Sequence, residues 1–207
     1  MQSHSQSQTS RPRIRWLRPN LVINWPVNQP TLTIGAASSG STIVLRPLRE
    51  ADIDPIFLAC QDPTISAFTR VPDPYDRELA EEFVRGSDIA YRAHQSVVFV
   101  IEYNGSFAGT IGLHSIQLTD HCAEVGYWIE KSHREQGIAT EALRALLDFA
   151  LNIAEFRRIE AMADFDNSAS QRVMERAGMV RDALLRNRVT KPNGNQIDMV
   201  LYSVVKE

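Results

Sequence analysis

The chain has 207 residues, of which 43% are hydrophobic and 23% charged, with a formal net charge of −3. That length and balance fit one soluble globular domain with some chain to spare. No apolar run approaches the roughly 18 residues that a spanning helix needs. The only cysteines, Cys60 and Cys122, lack metal-ligand spacing and read as free thiols in a reducing, cytoplasmic setting.

Charge is unevenly placed. Residues 1–49 hold no Asp or Glu but carry Arg11, Arg13, Arg15, Arg18, Arg46 and Arg49. The acidic excess therefore lies in the rest of the chain. It would attract a cationic partner at long range, or simply keep the surface solvated. Residues 1–40 read as a basic extension, flexible or partly docked. They open Ser/Gln-rich, are broken by Pro26 and Pro30, and end in a linker-like AASSGS run. An organelle-targeting segment is the other reading of this arm.

Regular patterning begins at residue 41 and continues to 207. Residues 42–48 read as a strand, 50–60 as a short helix, and the prolines at 63, 72 and 74 as a loop. A helix is expected over 77–94, with Leu79, Phe83 and Ala90 on one side. Strands follow at 97–103, 107–116 and 122–130, the first two joined by the hairpin signal Asn104-Gly105. A helix over 137–154 carries a wide apolar stripe that includes Ile138, Ala142, Leu146, Phe149 and Ile153. A strand at 157–163 must run parallel to its predecessor, because a helix connects them. Asn167 caps a helix over 168–177. Strands at 179–190 and 196–205 meet at a turn through Pro192-Asn193-Gly194. The predicted order is β-α-α-β-β-β-α-β-α-β-β, an α/β (α+β) fold with a mixed, mostly antiparallel sheet.

The most informative run is Tyr127-Trp128-Ile129-Glu130-Lys131-Ser132-His133-Arg134-Glu135-Gln136-Gly137-Ile138-Ala139-Thr140. It passes from strand through a polar loop into a helix. The first amides of a helix lack intrahelical partners and the helix dipole is positive there, so this junction suits an anion such as pyrophosphate. Gly137 lets the backbone approach closely, and Arg134 adds charge.

Arg134-Glu135-Gln136-Gly137-Ile138-Ala139 resembles the R/Q-x-x-G-x-G/A motif of the GNAT superfamily of N-acetyltransferases. The flanks Glu124–Ile129 and Thr140–Leu143, the later Asn167–Ser170 and Glu175–Met179 segments, Leu45–Leu48 and Asp198–Tyr202 are also similar to that family. The resemblance covers residues 42–206 and leans towards the ribosomal-protein alanine or serine N-terminal acetyltransferases. It implies the GNAT fold and acetyl-CoA as co-substrate. The pantetheine arm would pair with Tyr127, Trp128 and Ile129, and the pyrophosphate would lie on the amides from Arg134 to Ala139, with Thr140 closing the turn. Asn167 would meet the thioester end. Glu135 departs from the family, where glycine is common, and sets a carboxylate beside the pyrophosphate.

Direct attack of an amine on a thioester needs an amine without its extra proton, a stabilised carbonyl oxygen and a proton for the leaving thiolate. An α-amine is already roughly a tenth neutral at pH 7, whereas a lysine-type amine is neutral to only about 0.04%. Glu124, two residues before Gly126, is the candidate base acting through water, and His114 on the neighbouring strand is the second candidate. Many family members place a tyrosine acid seven residues after the helix-start asparagine, but that position here is Met174. The N-terminal-acetylating branch instead places a serine three residues after it, which is Ser170. Tyr202 is the alternative donor.

The expected acceptor is a protein N-terminal α-amine. A small amine (polyamine, aminoglycoside or amino-acid derivative) is the alternative, and a non-catalytic acyl-CoA-binding module is the reading from another class. The acids between residues 60 and 95 suit a cationic acceptor. The five histidines offer no metal-ligand pairing. No membrane or nucleic-acid partner is expected, and the chain is read as a monomer or homodimer.

Overall fold

A computed structural model of the protein describes residues 23–35, 41–191 and 194–206. The Ser/Gln-rich opening, the arginines at 11–18, most of the AASSGS run and the Pro192-Asn193 part of the last turn lie outside the described residues.

The described strands are β1 (Leu32–Gly35), β2 (Thr42–Pro47), β3 (Val97–Tyr103), β4 (Ser106–Gln117), β5 (Cys122–Ile129), β6 (Arg158–Asp164), β7 (Val180–Thr190) and β8 (Gln196–Val205). They form one sheet in the order β1-β2-β3-β4-β5-β6-β8-β7. Every pairing is antiparallel except β5 with β6. The helices are α1 (Ile53–Ala59), α2 (Pro63–Phe68), α3 (Arg77–Arg92), α4 (Ile138–Asp148) and α5 (Ser168–Arg176). Among the described residues no helix is long and apolar enough to cross a membrane.

Two apolar clusters sandwich the sheet. On one face α4 buries Leu143, Leu146 and, just beyond its end, Phe149 against Leu45, Phe99, Ile101, Ile111 and Leu113. The Phe99 and Phe149 rings meet edge to face at 6.0 Å. On the other face Ile53, Ile56, Ile65, Ala80 and Val84 of α1–α3 close over Phe107 and Trp128. Alternation along β5 divides it between the two. Ala123, Val125 and Tyr127 face α4, while Trp128 faces α1–α3.

Four expectations change. The boundary at residue 41 falls inside the sheet, because β1 pairs with β2 from Leu32↔Leu45 to Gly35↔Thr42. Pro30 precedes this strand and so costs it no hydrogen bond, and Leu32 and Ile34 turn onto the core. Upstream, the Trp25 ring lies 5.1 Å from that of Tyr91, whose hydroxyl donates to the Pro26 carbonyl. Second, the loop expected at Pro63 is a helix, since Asp62 accepts from the Thr64 amide and proline is well suited to a first helical turn.

Third, α3 buries Ala80, Val84 and Tyr91, one position on from the expected stripe, and Phe83 is left exposed. Fourth, the long helix is α only to Asp148. Residues Phe149–Ile153 form a π turn, with Ala154 donating to the Phe149 carbonyl. That extra residue per turn rotates Ile153 out to solvent and Ala150 and Ala154 in.

Candidate active site

Strands β5 and β6 are in register only at Cys122↔Arg158, Ala123↔Ile159 and Glu124↔Glu160. Beyond Glu124 they splay apart. The β6-facing edge of Val125–Ile129 then has no strand partner among the described residues. Of the three residues expected to pair with the pantetheine arm, Tyr127 and Ile129 turn their backbone groups to this edge, whereas those of Trp128 face Thr110 on β4. The Ile129 carbonyl is already engaged, accepting from Arg134 Nε at 2.9 Å.

The loop after β5 is shaped by local capping. Glu130 accepts from the Ser132 amide and from His133 Nδ1, both at 2.9 Å, and Gln136 Nε2 donates to the Ser132 carbonyl. Glu135 and Gly137 both adopt left-handed backbone, at φ 62° and 78°. Gly137 is the N-cap of α4, and a Cβ built there would touch nothing within 4 Å. In the first turn the Thr140 amide already donates to the Gly137 carbonyl at 3.1 Å, so the amides ahead of it are the ones placed to meet an anion. Ile138 and Thr140 are buried and anchor the turn, with Ala139 between them half-buried. The motif residues Arg134 to Thr140 thus fit acetyl-CoA through backbone amides and the helix dipole.

The Arg134 side chain has partners at both ends of its guanidinium. Its Nη1 donates to Thr64 Oγ1 at 2.8 Å and its Nη2 lies 2.8 Å from Asp62 Oδ2. The side chain is committed to the start of α2. Glu135 is exposed, and its left-handed backbone gives a second reason why glycine suits this position.

Across the splay, Asn167 caps α5 by accepting from the Ser170 amide at 3.0 Å. Ser170 Oγ lies 2.9 Å from the Tyr127 hydroxyl, which also reaches the Ser170 carbonyl at 3.3 Å. Burial pushes the Tyr127 phenol up to about 12, against the opposing pull of the Ser170 bond. Met174, one turn after Ser170 on the same face of α5, is fully buried in the core and has no proton to give. Tyr202 is also fully buried, and its hydroxyl donates to Glu175 Oε1 at 2.9 Å.

On the opposite face of β5, Glu124 stands in register with His114 on β4 and Glu160 on β6. Glu124, Glu160, Cys122, Met162, Leu185 and Arg188 line a cavity of about 280 Å³. The His114 ring packs over Gly126, where a Cβ would come within 3.1 Å of Nε2. Burial lowers the His114 pKa; Glu124 pulls it back up and the Arg70 charge adds to the lowering. Sequence reasoning missed Glu160, although the Arg158-Glu160-Met162 alternation was visible. Only the register with β5 sets it beside Glu124. It also missed the Asp62–Arg134 pair, which joins positions far apart in the chain. Among the described residues no cluster of His, Cys, Asp or Glu is arranged to hold a metal ion.

A splayed parallel pair, an amide-lined helix start with an open glycine and an asparagine-capped α5 form one arrangement. Residues 42–180 match the model of the acetyltransferase (GNAT) domain family. The chain belongs to the GNAT acetyltransferases. It is an acetyl-CoA-dependent N-acetyltransferase by family and fold.

YdaF of Bacillus subtilis strain 168, which carries a provisional ribosomal N-acetyltransferase name, is 36% identical over 104 residues, covering 50% of this chain and 56% of YdaF. The ribosomal-protein-serine acetyltransferase of Escherichia coli K12 is 29% identical over 109 residues, covering 53% of this chain and 61% of that protein. The chain thus spans little more than half the length of these two curated relatives. Among solved structures, Mycobacterium smegmatis RimJ in complex with CoA-disulfide superposes with a TM-score of 0.71 at 26% identity, covering 79% of this chain and 82% of RimJ.

Proposed function

We propose that this chain acetylates the α-amine of a protein N-terminus, of the ribosomal-protein type, with acetyl-CoA as donor. The observation that carries the reading is the Ser170–Tyr127 pair at the splay, beside a Met174 turned into the core. With no tyrosine at that position, the leaving thiolate takes its proton from Ser170. A serine hydroxyl is a weak acid on its own, and Tyr127 stands behind it as the group that resupplies the proton.

On the other face, Glu124 accepts the proton of the incoming ammonium through water. The neutral amine attacks the thioester carbon, the nitrogen loses its second proton to solvent as the carbon–sulfur bond breaks, and the thiolate leaves with the Ser170 proton, which solvent restores by way of Tyr127. An α-amine suits this machinery because it is already roughly a tenth neutral at pH 7 and asks little of a base. The free thiols of Cys60 and Cys122 fit a reducing, cytoplasmic setting.

One observation favours a second reading. Two carboxylates, Glu124 and Glu160, line the same small cavity with Arg188, and since Glu160 is already paired with Arg158, Glu124 is the carboxylate left to meet a small cationic amine there. The deciding experiment mixes protein and acetyl-CoA with a panel of peptides and small amines and measures free thiol. Thiol release with N-terminal peptides supports the proposal. Release only with polyamines or other small amines moves the acceptor to the second class, and acetyl-CoA binding without any release rejects catalysis.

A further inference from the structure

We propose that Arg134 is a positioning residue for the acceptor wall and not a ligand of the cofactor's phosphates. The inference rests on the acetyl-transfer reading above. Arg134 opens the phosphate loop, so its charge invites the assignment to pyrophosphate. Its geometry points elsewhere. Nε donates to the Ile129 carbonyl and Nη1 to Thr64 Oγ1, while Nη2 makes an ion contact with Asp62 Oδ2 at 2.8 Å that lacks hydrogen-bond geometry. The guanidinium is one-third exposed and the Asp62 carboxylate only 13% exposed, so the pair is shielded from solvent. Asp62 cancels the Arg134 charge, and Glu135 adds a negative one next to it. The local side-chain charge is unfavourable to phosphate, which leaves the backbone amides and the α4 dipole to hold it.

The other end of this connection is the segment Asp62–Arg70. It begins at Arg134 and carries α2 across the α1–α3 face of the sheet. Ile65, only 3% exposed, packs in the cluster that holds Trp128. At the far end Lys191, from the β7–β8 connection, donates to the Ala67 carbonyl, lies over the Phe68 ring at 5.9 Å, and pairs with Asp164 at 3.3 Å. The segment is therefore a strap fixed at both ends. Through Ile65 it packs in the cluster that holds Trp128 of β5, and its end, Arg70, is close enough for its charge to reach His114. His114 is the β4 neighbour of Glu124, and this is the strap's link to the acceptor side. Arg134 fastens it to the end of the same β5 edge that receives the donor, so one side chain sets the spacing between the two substrates.

The test compares Arg134→Gln, Asp62→Asn and their double variant with the wild-type chain. Asparagine keeps the α2 cap and removes only the charge pair. Acetyl-CoA affinity is measured by calorimetry, and acceptor KM and kcat with the best amine of the wild-type panel. Each single variant should raise acceptor KM about tenfold, the scale of a lost charge-assisted hydrogen bond. Each should leave the acetyl-CoA dissociation constant within about twofold, and the double variant should be no worse than either, as expected for one shared interaction. Lys191→Gln, at the other end of the strap, should shift acceptor KM in the same direction.

A tenfold or greater loss of acetyl-CoA affinity in Arg134→Gln, with Asp62→Asn unaffected, would overturn the proposal and make Arg134 a phosphate ligand. Unchanged KM in both single variants would overturn it too. Thermal unfolding of each variant separates a misfolded chain from a loosened strap. Should the wild-type chain turn over no amine at all, the acetyl-transfer reading fails, and the acetyl-CoA affinities of the two single variants still decide whether Arg134 binds phosphate.

Discussion

The Tyr127 hydroxyl lies 2.9 Å from Ser170 Oγ, and the bond joins β5 to α5 across the gap where β5 and β6 part. In the proposed reaction a proton given up by Ser170 is replaced from the Tyr127 hydroxyl. Ser170→Ala should lower kcat by about 100-fold while the acetyl-CoA dissociation constant stays nearly constant. Tyr127→Phe should lower kcat by less and in the same direction. Full turnover in Ser170→Ala would remove the assignment and return attention to Tyr202, whose hydroxyl is tied to Glu175.

In the proposed reaction Glu124 takes the acceptor's proton, so its contribution depends on how much of the acceptor is already neutral. Glu124→Gln should reduce kcat/KM by about 100-fold near pH 6.5, and the deficit should shrink as pH passes the α-amine pKa of about 8. A deficit independent of pH would mark Glu124 as a structural carboxylate.

His114 is held below its ordinary pKa of 6.5, chiefly by burial. The unfolded chain therefore binds the proton more readily than the folded one. Stability contributed by the neutral ring is present above pH 6.5 and falls as pH drops from there through the folded pKa. The melting temperature of the wild-type chain should fall more steeply below pH 6.5 than that of His114→Gln. Parallel curves for the two proteins would contradict the shift.

Glu135→Gly removes a carboxylate from the phosphate loop and places glycine in a left-handed conformation at φ 62°. The backbone strain relieved is about 1 kcal/mol. Acetyl-CoA should bind about two- to fivefold tighter as a nearby negative charge disappears, with melting temperature unchanged or raised. Weaker binding would displace the phosphates from this loop.

Arg46 and Asp52 form a buried two-pronged ion pair, both contacts at 2.7 Å, with Glu102 on the Nε side at 2.6 Å. Removing one member leaves an unpaired buried charge. Arg46→Met should cost about 3–5 kcal/mol in denaturant unfolding. Adding Asp52→Leu should recover part of that loss, since only the less buried Glu102 is then left without the guanidinium.

The sequence made much of this readable, for identifiable reasons. Apolar periodicity located α4, and Asn104-Gly105 located the β3–β4 hairpin, whose two turn residues sit at φ 51° and 79°. Asn167 announced its cap because capping is local. What stayed hidden depends on distance in the chain. Nothing near Arg134 in sequence hints at Asp62, and Glu160 becomes Glu124's neighbour only through β5–β6 register. The π turn escaped because a single inserted residue leaves composition untouched while rotating Ile153 outward. The β1 strand was obscured by Pro26 and Pro30, which punctuate the segment before the hydrogen-bonded part begins.

Among the described residues, three residue pairs make up the β5–β6 ladder, the only strand pairing between the two halves of the sheet. A crack that short concentrates motion, as the root of a notch does in a bent plate. A donor that carries its own amide groups into the notch supplies the missing rungs. Occupancy would then stiffen the protein as a whole and not merely fill a site. Amide hydrogen exchange along Val125–Ile129 should report the loading of the enzyme before any product appears.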